Sequence, residues 1–147
     1  MMNDSIDLSQ LVMCTCNNLR MAARAVTQHY ATFDQETGLR PTQITLLSVT
    51  QMFGPIPITQ LAEMLNMDRT TLTRNLKPLE SRGLLTVTTG DDKRTRFVEI
   101  TPVGSETVVV GLGGWQQAQQ SMIDHLGEED WRELIRLLGK VVAVTKQ

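Results

Sequence analysis

Residues 58–104 constrain the fold most strongly, because the period of their apolar residues changes partway along the stretch. Apolar residues recur at helical spacing as far as Leu79. Beyond Gly83 they alternate with polar residues, first around Val87 and again around Val98. This order predicts two short helices followed by a β-hairpin, whose turn is the polar segment between the two alternating runs.

A turn over residues 66–68 separates the two short helices. Thr59 and Asp68 are predicted to cap their N-termini, since either side chain can accept a hydrogen bond from a free backbone N–H group. The second helix is expected to end near Gly83. Pro78 within it removes one backbone donor and should bend or strain the helix, but the apolar spacing continues on both sides.

Helical spacing of apolar residues also predicts two helices before this stretch. The first is expected over about residues 7–33, and the second begins at Pro41, a residue suited to the first turn of a helix. The sequence Gly-Pro-Ile-Pro at 54–57 ends the second helix. Two prolines there leave room only for a short edge strand.

Two further helices are expected after the hairpin. The first runs over about residues 102–125 and contains Gly111, Gly113 and Gly114, which weaken a helix and predict a kink or a close helix contact. The second begins at Glu128, within a run of three acidic residues that favours a helix N-terminus.

Composition limits the class of protein. The chain has 147 residues, of which 41% are hydrophobic and 20% charged, a composition typical of a globular protein. We predict a single unit over residues 1–147. Its predicted fold class is mainly α with a small β-sheet (α+β). No apolar run is long enough to span a membrane, and the N-terminal residues lack the features of a signal peptide. A cytoplasmic location without a membrane partner is therefore expected.

Charge is distributed unevenly along the chain. Residues 68–97 contain seven basic and four acidic residues, a net charge of +3. The remainder has seven basic and twelve acidic residues, a net charge of −5. A basic segment on an otherwise acidic chain favours contact with nucleic-acid phosphates, although a solvated charged face would show the same pattern.

Two short helices, a tight turn and a hairpin with a basic tip form the winged helix-turn-helix pattern, which we predict over residues 40–101. The second helix of such a pair fits the major groove of DNA, with its N-terminal residues toward the bases. Its candidate DNA-binding residues offer hydroxyl groups and cations to phosphates or base edges: Arg69, Thr70, Thr71, Thr73, Arg74 and Lys77.

Basic residues also stand at the tip of the predicted hairpin. Lys93, Arg94 and Arg96 are expected to reach the DNA backbone or the adjacent minor groove. Arg82, at the end of the second short helix, is interpreted as a structural or phosphate contact rather than a reader of bases.

Five segments of the same stretch carry a family resemblance. They are ITQLA at 58–62, TTLTRNLKPL at 70–79, SRGLL at 81–85, DKR at 92–94 and ITPVG at 100–104. Together they resemble the MarR family of bacterial transcription regulators. The order of elements is similar over nearly the whole chain, whereas the motifs match only within this stretch.

The resemblance implies a homodimer formed by the helices of residues 1–36 and 102–147. It implies binding to double-stranded DNA at a pseudo-palindromic operator, usually as a repressor, and no cofactor or metal is expected. It further implies a pocket between the dimer helices and the DNA-binding lobe, where small phenolic or lipophilic ligands or oxidants relieve repression. At the wing tip, Arg94 would enter the minor groove while Asp92 holds Arg94 in position.

Cys14 and Cys16 lie two residues apart on the predicted first helix, where they cannot readily pair with each other. Zinc would need more ligands, and no histidine stands at ligand spacing. One interpretation makes both cysteines small buried hydrophobic residues. The other is an oxidant sensor, because the helix after Cys16 resembles the reactive-cysteine helix of the organic-hydroperoxide-sensing branch of MarR proteins. Arg20 stands where that branch has an aromatic residue.

Two other functions are compatible with parts of the sequence. A small thiol enzyme would use Cys14 or Cys16, but no histidine lies near them in the sequence. A winged helix that contacts proteins would not need Arg69, Arg74 and Arg94 on one surface. The leading hypothesis is therefore a sequence-specific transcription regulator that responds to a ligand or an oxidant.

Overall fold

The structure, a computed structural model, describes residues 8–34 and 36–146. A 3-10 helix at Leu8–Met13 precedes the first α-helix. The α-helices of this part of the chain are α1 (Thr15–Ala31), α2 (Pro41–Phe53), α3 (Ile58–Met64), α4 (Arg69–Ser81), α5 (Pro102–Leu126) and α6 (Glu128–Val144), and its strands are β1 (Ile56–Pro57), β2 (Leu85–Thr89) and β3 (Arg96–Ile100).

The three strands form one antiparallel sheet in the order β1–β3–β2. Strands β2 and β3 are the predicted hairpin, with Val87 opposite Val98 and Leu85 opposite Ile100. Strand β1 is the short edge strand that the two prolines allow, and it pairs Ile56 with Val98. The predicted fold class, mainly α with a small β-sheet, is confirmed.

The hydrophobic core lies inside the lobe formed by α2, α3, α4 and the sheet. Every one of these elements contributes large side chains that are fully buried, among them Leu46, Leu47, Ile56, Leu61, Leu72, Leu79, Leu85 and Val98. The leucine stripe that predicted α4 is the face of that helix that packs inward. Burial of each such side chain stabilises the fold by about 1.5–3 kcal/mol.

The helices at the two ends add nothing to this core. No residue of α1 or α6 is buried within the described chain. On α6, the apolar side chains of Leu134 and Ile135 remain 41% and 51% exposed. An amphipathic helix with a bare apolar face indicates a surface that another molecule covers.

The start of α5 is fixed to the hairpin by Thr101 and Gly104. The Thr101 hydroxyl accepts a hydrogen bond from the Gly104 backbone N–H at 3.0 Å and donates one to the Gly83 carbonyl at 2.6 Å. The backbone of Gly104 lies so close to Leu84 that a Cβ atom would stand 1.9 Å from the Leu84 carbonyl oxygen. A glycine is therefore required at this junction.

The glycines in the middle of α5 produce the predicted close contact. A Cβ atom at Gly111 would lie 2.8 Å from Cδ1 of Ile44, and one at Gly114 would lie 2.6 Å from the carbonyl oxygen of Phe33. A Cβ atom at Gly113 would meet no atom within 4 Å. Two of the three glycines thus let α5 approach α2 and the end of α1.

The predicted first helix is wrong in its extent. Cys14 has an extended backbone (φ −62°, ψ 117°) and separates the 3-10 helix from α1. The Asn18 side chain donates to the carbonyl groups of Val12 at 2.7 Å and Cys14 at 2.9 Å, which supplies partners at the break. The expected start near residue 7 lies outside the described residues.

The predicted cap of α3 is also wrong. The helix begins at Ile58, directly after the strand residue Pro57, which occupies the N-cap position. Thr59 therefore lies inside the first turn and forms no cap. Pro57 pairs with Phe97 in the sheet and the helix begins at the next residue, an arrangement that the local sequence does not reveal.

Candidate nucleic-acid interface

Asp68 is the N-cap of α4, as predicted. Its Oδ1 accepts a hydrogen bond from the Thr71 backbone N–H at 2.8 Å, and its Oδ2 accepts one from the Thr71 hydroxyl at 2.6 Å. These bonds, the hydroxyl one above all, hold the pKa of the Asp68 carboxyl below its ordinary value. Asn66, with a φ of 50°, turns the chain just before it.

The exposed face of α4 brings together five of the six predicted DNA-binding residues of this helix. Arg69, Thr70, Thr73, Arg74 and Lys77 line one shallow depression of about 400 Å³, and all five are exposed. The three cations among them form no ion pair with any residue that the structure describes. The helix thus presents unpaired cations of the kind that contact phosphates and base edges.

The three threonines of this helix differ in what their hydroxyl groups can offer. Thr71 is half-buried, lies outside the depression and donates its proton to the Asp68 carboxylate. Thr73 donates to the Arg69 carbonyl at 2.8 Å. Among the described contacts the Thr70 hydroxyl has no partner, so its donor is available to a bound molecule.

Asp92 orders the tip of the wing. Its Oδ1 accepts hydrogen bonds from the backbone N–H groups of Arg94 at 2.9 Å and Thr95 at 2.8 Å, and its Oδ2 accepts one from the Thr95 hydroxyl at 2.6 Å. These bonds, led by the Thr95 hydroxyl, lower the pKa of the Asp92 carboxyl. Lys93 adopts a left-handed φ of 56°. Asp92 therefore fixes the backbone from which the Arg94 side chain projects.

The other two arginines of the basic segment have different surroundings. Arg96 is the first residue of β3, opposite Thr89, and is exposed, as are Lys93 and Arg94. Arg82 instead donates from Nη2 to the Thr37 carbonyl at 2.9 Å. It ties the end of α4 to the segment before α2, which makes its role structural.

A cleft of about 230 Å³ lies between α1, α2 and α5. Most of its walls are apolar or aromatic, including Ile44 and Trp115. Its polar lining consists of Thr27, Tyr30, Asp34 and Thr45. The sequence patterns did not point to these residues as a site, because they come from separate elements and no motif links them.

Hydrogen bonds join α1 to α5 beside this cleft. The Tyr30 hydroxyl donates to Oε1 of Gln119 at 2.6 Å, and Nε2 of His29 lies 3.2 Å from the Ser121 hydroxyl oxygen. Burial raises the pKa of Tyr30, so its hydroxyl remains protonated at neutral pH. The wall of the cleft that α1 and α5 form is therefore held together by polar contacts between these two helices.

Neither cysteine is buried within the single chain. Cys14 is half-buried and Cys16 is exposed in the first turn of α1. Because Cys14 precedes the helix, the two do not share one helix as predicted. Across the described residues, no group of three or more side chains suited to hold a metal ion occurs.

A short helix, a tight turn, a capped helix with an exposed cationic face and a basic hairpin together define a winged helix-turn-helix DNA-binding protein. Comparison with known proteins identifies the family. The model of the MarR family matches residues 37–95. This match and a 30% identity to a solved transcriptional regulator, of which the chain covers 99%, place the chain in this family. The resemblance seen in the sequence is thereby confirmed.

Solved structures and a curated protein match over most of the chain. The M. tuberculosis transcriptional regulator MOSR in complex with DNA is 30% identical with a TM-score of 0.80, covering 91% of this chain and 99% of that one. A probable transcriptional regulator from Pseudomonas aeruginosa is 26% identical with a TM-score of 0.80, covering 89% and 98%. The HTH-type transcriptional regulator YdgJ of Bacillus subtilis is 26% identical over 110 residues, which are 74% of this chain and 67% of the relative.

These relatives make the chain a DNA-binding transcription regulator and not an enzyme. They give no support to the alternative of a small thiol enzyme. Within residues 8–34 and 36–146, none of the helices combines the length and apolar character needed to cross a membrane.

Proposed function

We propose that this regulator is a cytoplasmic homodimeric repressor that binds a pseudo-palindromic operator and releases it in response to a small molecule or an oxidant. The observation that carries the proposal is the exposed set on α4, namely Arg69, Thr70, Thr73, Arg74 and Lys77, whose cations have no ion-pair partner among the described residues. The MOSR structure, 30% identical in sequence, contains DNA, which supports the same use of this surface.

In this proposal α4 lies in the major groove. Arg69 and Arg74 read base edges, since a guanidinium can form two hydrogen bonds to one guanine. The free Thr70 hydroxyl adds a contact beside them, and Lys77, one turn further along, contacts phosphate. Thr71 supports the interface through its cap hydrogen bonds rather than by touching DNA.

The wing contacts DNA beside the groove that α4 occupies. Arg94 enters the minor groove, and Lys93 and Arg96 contact the phosphate backbone. Asp92 does not touch DNA in this arrangement. It holds the backbone of Arg94 and Thr95, so the turn that carries the Arg94 side chain is ordered before DNA binds.

Homodimer formation covers the bare apolar faces of α1 and α6. Both helices lack buried residues, and the 3-10 helix before α1 exposes Leu11 and Val12 by 62% and 71%. A second copy of the chain supplies a matching apolar surface, since a two-fold interface uses the same patch from both partners. Such a dimer would place its two α4 helices about 34 Å apart, one turn of duplex DNA.

The cleft between α1, α2 and α5 is the proposed site of a releasing ligand, of the phenolic or lipophilic kind that the family resemblance implies. It is lined both by the helices assigned to the dimer and by α2, whose Leu46 and Leu47 belong to the core of the DNA-binding lobe. A bound molecule would therefore change how the lobe sits on the dimer helices, and with it the spacing of the two α4 helices.

An oxidant is the second proposed trigger, and the exposure of Cys16 favours it. Mild peroxide treatment followed by mass spectrometry and a DNA-binding assay tests this role. Cys16→Ser should abolish the response, while Cys14→Ser serves as the neighbouring control. An unchanged oxidant response of Cys16→Ser, or no response of the parent protein, would exclude the sensor.

Selection of bound sequences from a random DNA pool tests the proposed function as a whole. We expect an enriched pseudo-palindrome, and affinity that falls with salt at a log–log slope of about −0.9 for each phosphate neutralised. Arg94→Ala should weaken binding to all sequences, whereas Arg69→Ala and Arg74→Ala should change the selected sequence. Arg132→Ala, on α6 and paired with Glu128, is the matched control. Equal losses on selected and random DNA for all three arginines would contradict the assigned roles.

A further inference from the structure

We propose that the cleft between α1, α2 and α5 takes a small aromatic amine in its protonated form, and that Asp34 selects this charge. The inference rests on the proposed function, in which the cleft receives the releasing molecule. It adds the charge of that molecule, which the family resemblance leaves open.

The charged groups around the cleft favour a cation. Asp34 is its acidic lining residue, and no lysine, arginine or histidine of the described chain lines it. An adjoining depression of about 420 Å³ shares Asp34, adds Glu36 and is likewise lined by no cationic residue of the described chain. An entering carboxylate would lose water without gaining a counter-ion, whereas an ammonium group would meet the Asp34 carboxylate.

The polar groups of the cleft are mostly hydrogen-bond acceptors. Asp34 accepts from the Thr37 backbone N–H at 3.1 Å and from the Thr37 hydroxyl, which leaves lone pairs on both of its oxygens. Tyr30 donates its proton to α5, and Thr45 donates to a carbonyl of its own helix at 3.1 Å. Their hydroxyl oxygens therefore retain acceptor capacity, and an ammonium group with three N–H donors complements this set.

The size and walls of the cleft select an aromatic ring. A volume of about 230 Å³ is enough for a molecule with a single ring. Trp115 and Tyr30 supply aromatic surface, on which a ring can stack and toward which a cation is attracted. Trp115 is 46% exposed, so the cleft opens to solvent on the side of this residue.

Three matched phenols test the charge preference: tyramine, tyrosol and 4-hydroxyphenylacetate, which carry a cationic, a neutral and an anionic group on similar short chains. Isothermal titration calorimetry on the full chain measures their binding, and fluorescence anisotropy of labelled operator measures DNA release. We expect tyramine to bind more tightly than 4-hydroxyphenylacetate by about tenfold or more, with tyrosol between them.

Two substitutions assign the preference to the cleft. Asp34→Asn keeps one of the two oxygens that accept from Thr37 and removes the charge, so tyramine should lose its advantage over tyrosol. Thr27→Arg leaves Asp34 in place and adds a cation to the lining, so 4-hydroxyphenylacetate should become the preferred probe. Glu36→Gln changes a residue that lines the adjoining depression but not the cleft, so this control should leave the order of affinities unchanged.

The possible outcomes separate this inference from the function on which it rests. Equal or tighter binding of 4-hydroxyphenylacetate, or no binding of tyramine at millimolar concentration, would overturn the assigned ligand class even if the chain represses normally. Tyramine binding with the expected preference but without DNA release would support the ligand class and contradict the regulatory role of the cleft. Failure to bind any selected DNA would contradict the proposed function alone.

Discussion

Asp68 and Asp92 hold the two segments that are proposed to face DNA, and they do so with the same local arrangement. Each carboxylate accepts a hydrogen bond from the backbone N–H and another from the hydroxyl of the threonine three residues later, Thr71 in α4 and Thr95 in the wing. Both segments are thus ordered before DNA arrives. Order that exists before binding reduces the conformational entropy that binding must remove.

Replacing Asp92 by alanine is expected to weaken operator binding by about tenfold with little change in thermal stability, because the Arg94 backbone loses its support. Asp91→Ala removes the same charge from the preceding residue. The Asp91 side chain forms none of the described hydrogen bonds, so this variant should not weaken binding. Fluorescence anisotropy at fixed salt measures both affinities, and circular dichroism confirms that both variants fold. Equal losses for the two variants would show that Asp92 acts through its charge instead.

The lowered pKa of Asp68 makes a signed prediction for acid stability. The unfolded chain, with a carboxyl pKa near 3.8, takes up a proton at a higher pH than the folded chain. The stabilising contribution of this carboxylate is therefore complete well above 3.8 and is lost as the pH falls through the lower folded value. Urea unfolding between about pH 6 and pH 3 should show a smaller loss of stability for Asp68→Asn than for the parent, while Asp91→Asn follows the parent.

Residues were predictable from the sequence where their role depends on near neighbours. Asp68 could be assigned as a cap because the helix start, the turn and the leucine spacing all lie within a few residues of it. Asp34 could not be found in this way. Its position on the cleft depends on the packing of α1, α2 and α5, which no local pattern specifies.

Elements were predicted best where the apolar period changes sharply. The bounds of the hairpin and of α4 follow from leucine and valine spacing, and α4 continues through Pro78 as the spacing indicated. The break at Cys14 was missed because apolar residues keep helical spacing across it. The sequence predicted that α5 contains glycines in its interior. Only the packing of the helices shows which of these glycines lie against a neighbouring element.

Two glycines of α5 provide a matched pair for this difference in packing. Gly104→Ala places a Cβ atom against the Leu84 backbone and should lower the free energy of unfolding by about 1–3 kcal/mol or more. Gly113→Ala meets open space in the chain and should raise it by up to about 1 kcal/mol through better helix propensity. Urea unfolding of both variants measures the difference, and an equal effect of both would contradict the close contact at Gly104.

At the scale of the whole molecule, the core and the bare apolar surfaces are separated. The buried cluster extends from Leu39 to Val108, while α1 and α6 at the two ends have no buried residue. The DNA-binding lobe therefore has its own core, and the end helices carry the apolar surface that the proposed dimer would cover. In the proposed dimer, a ligand in the cleft acts where these two parts meet.

Ile135→Glu on α6 tests this division, because it places a charge on the bare apolar face without disturbing the buried core of the lobe. We expect sedimentation to show monomers and binding to the full operator to fall by about a hundredfold or more, since the second half-site is no longer engaged by a linked lobe. Binding to an isolated half-site should change little. Lys140→Glu, on the same helix at an exposed polar position, is the matched control and should remain dimeric. A dimeric Ile135→Glu that retains operator affinity would show that α6 does not form the interface.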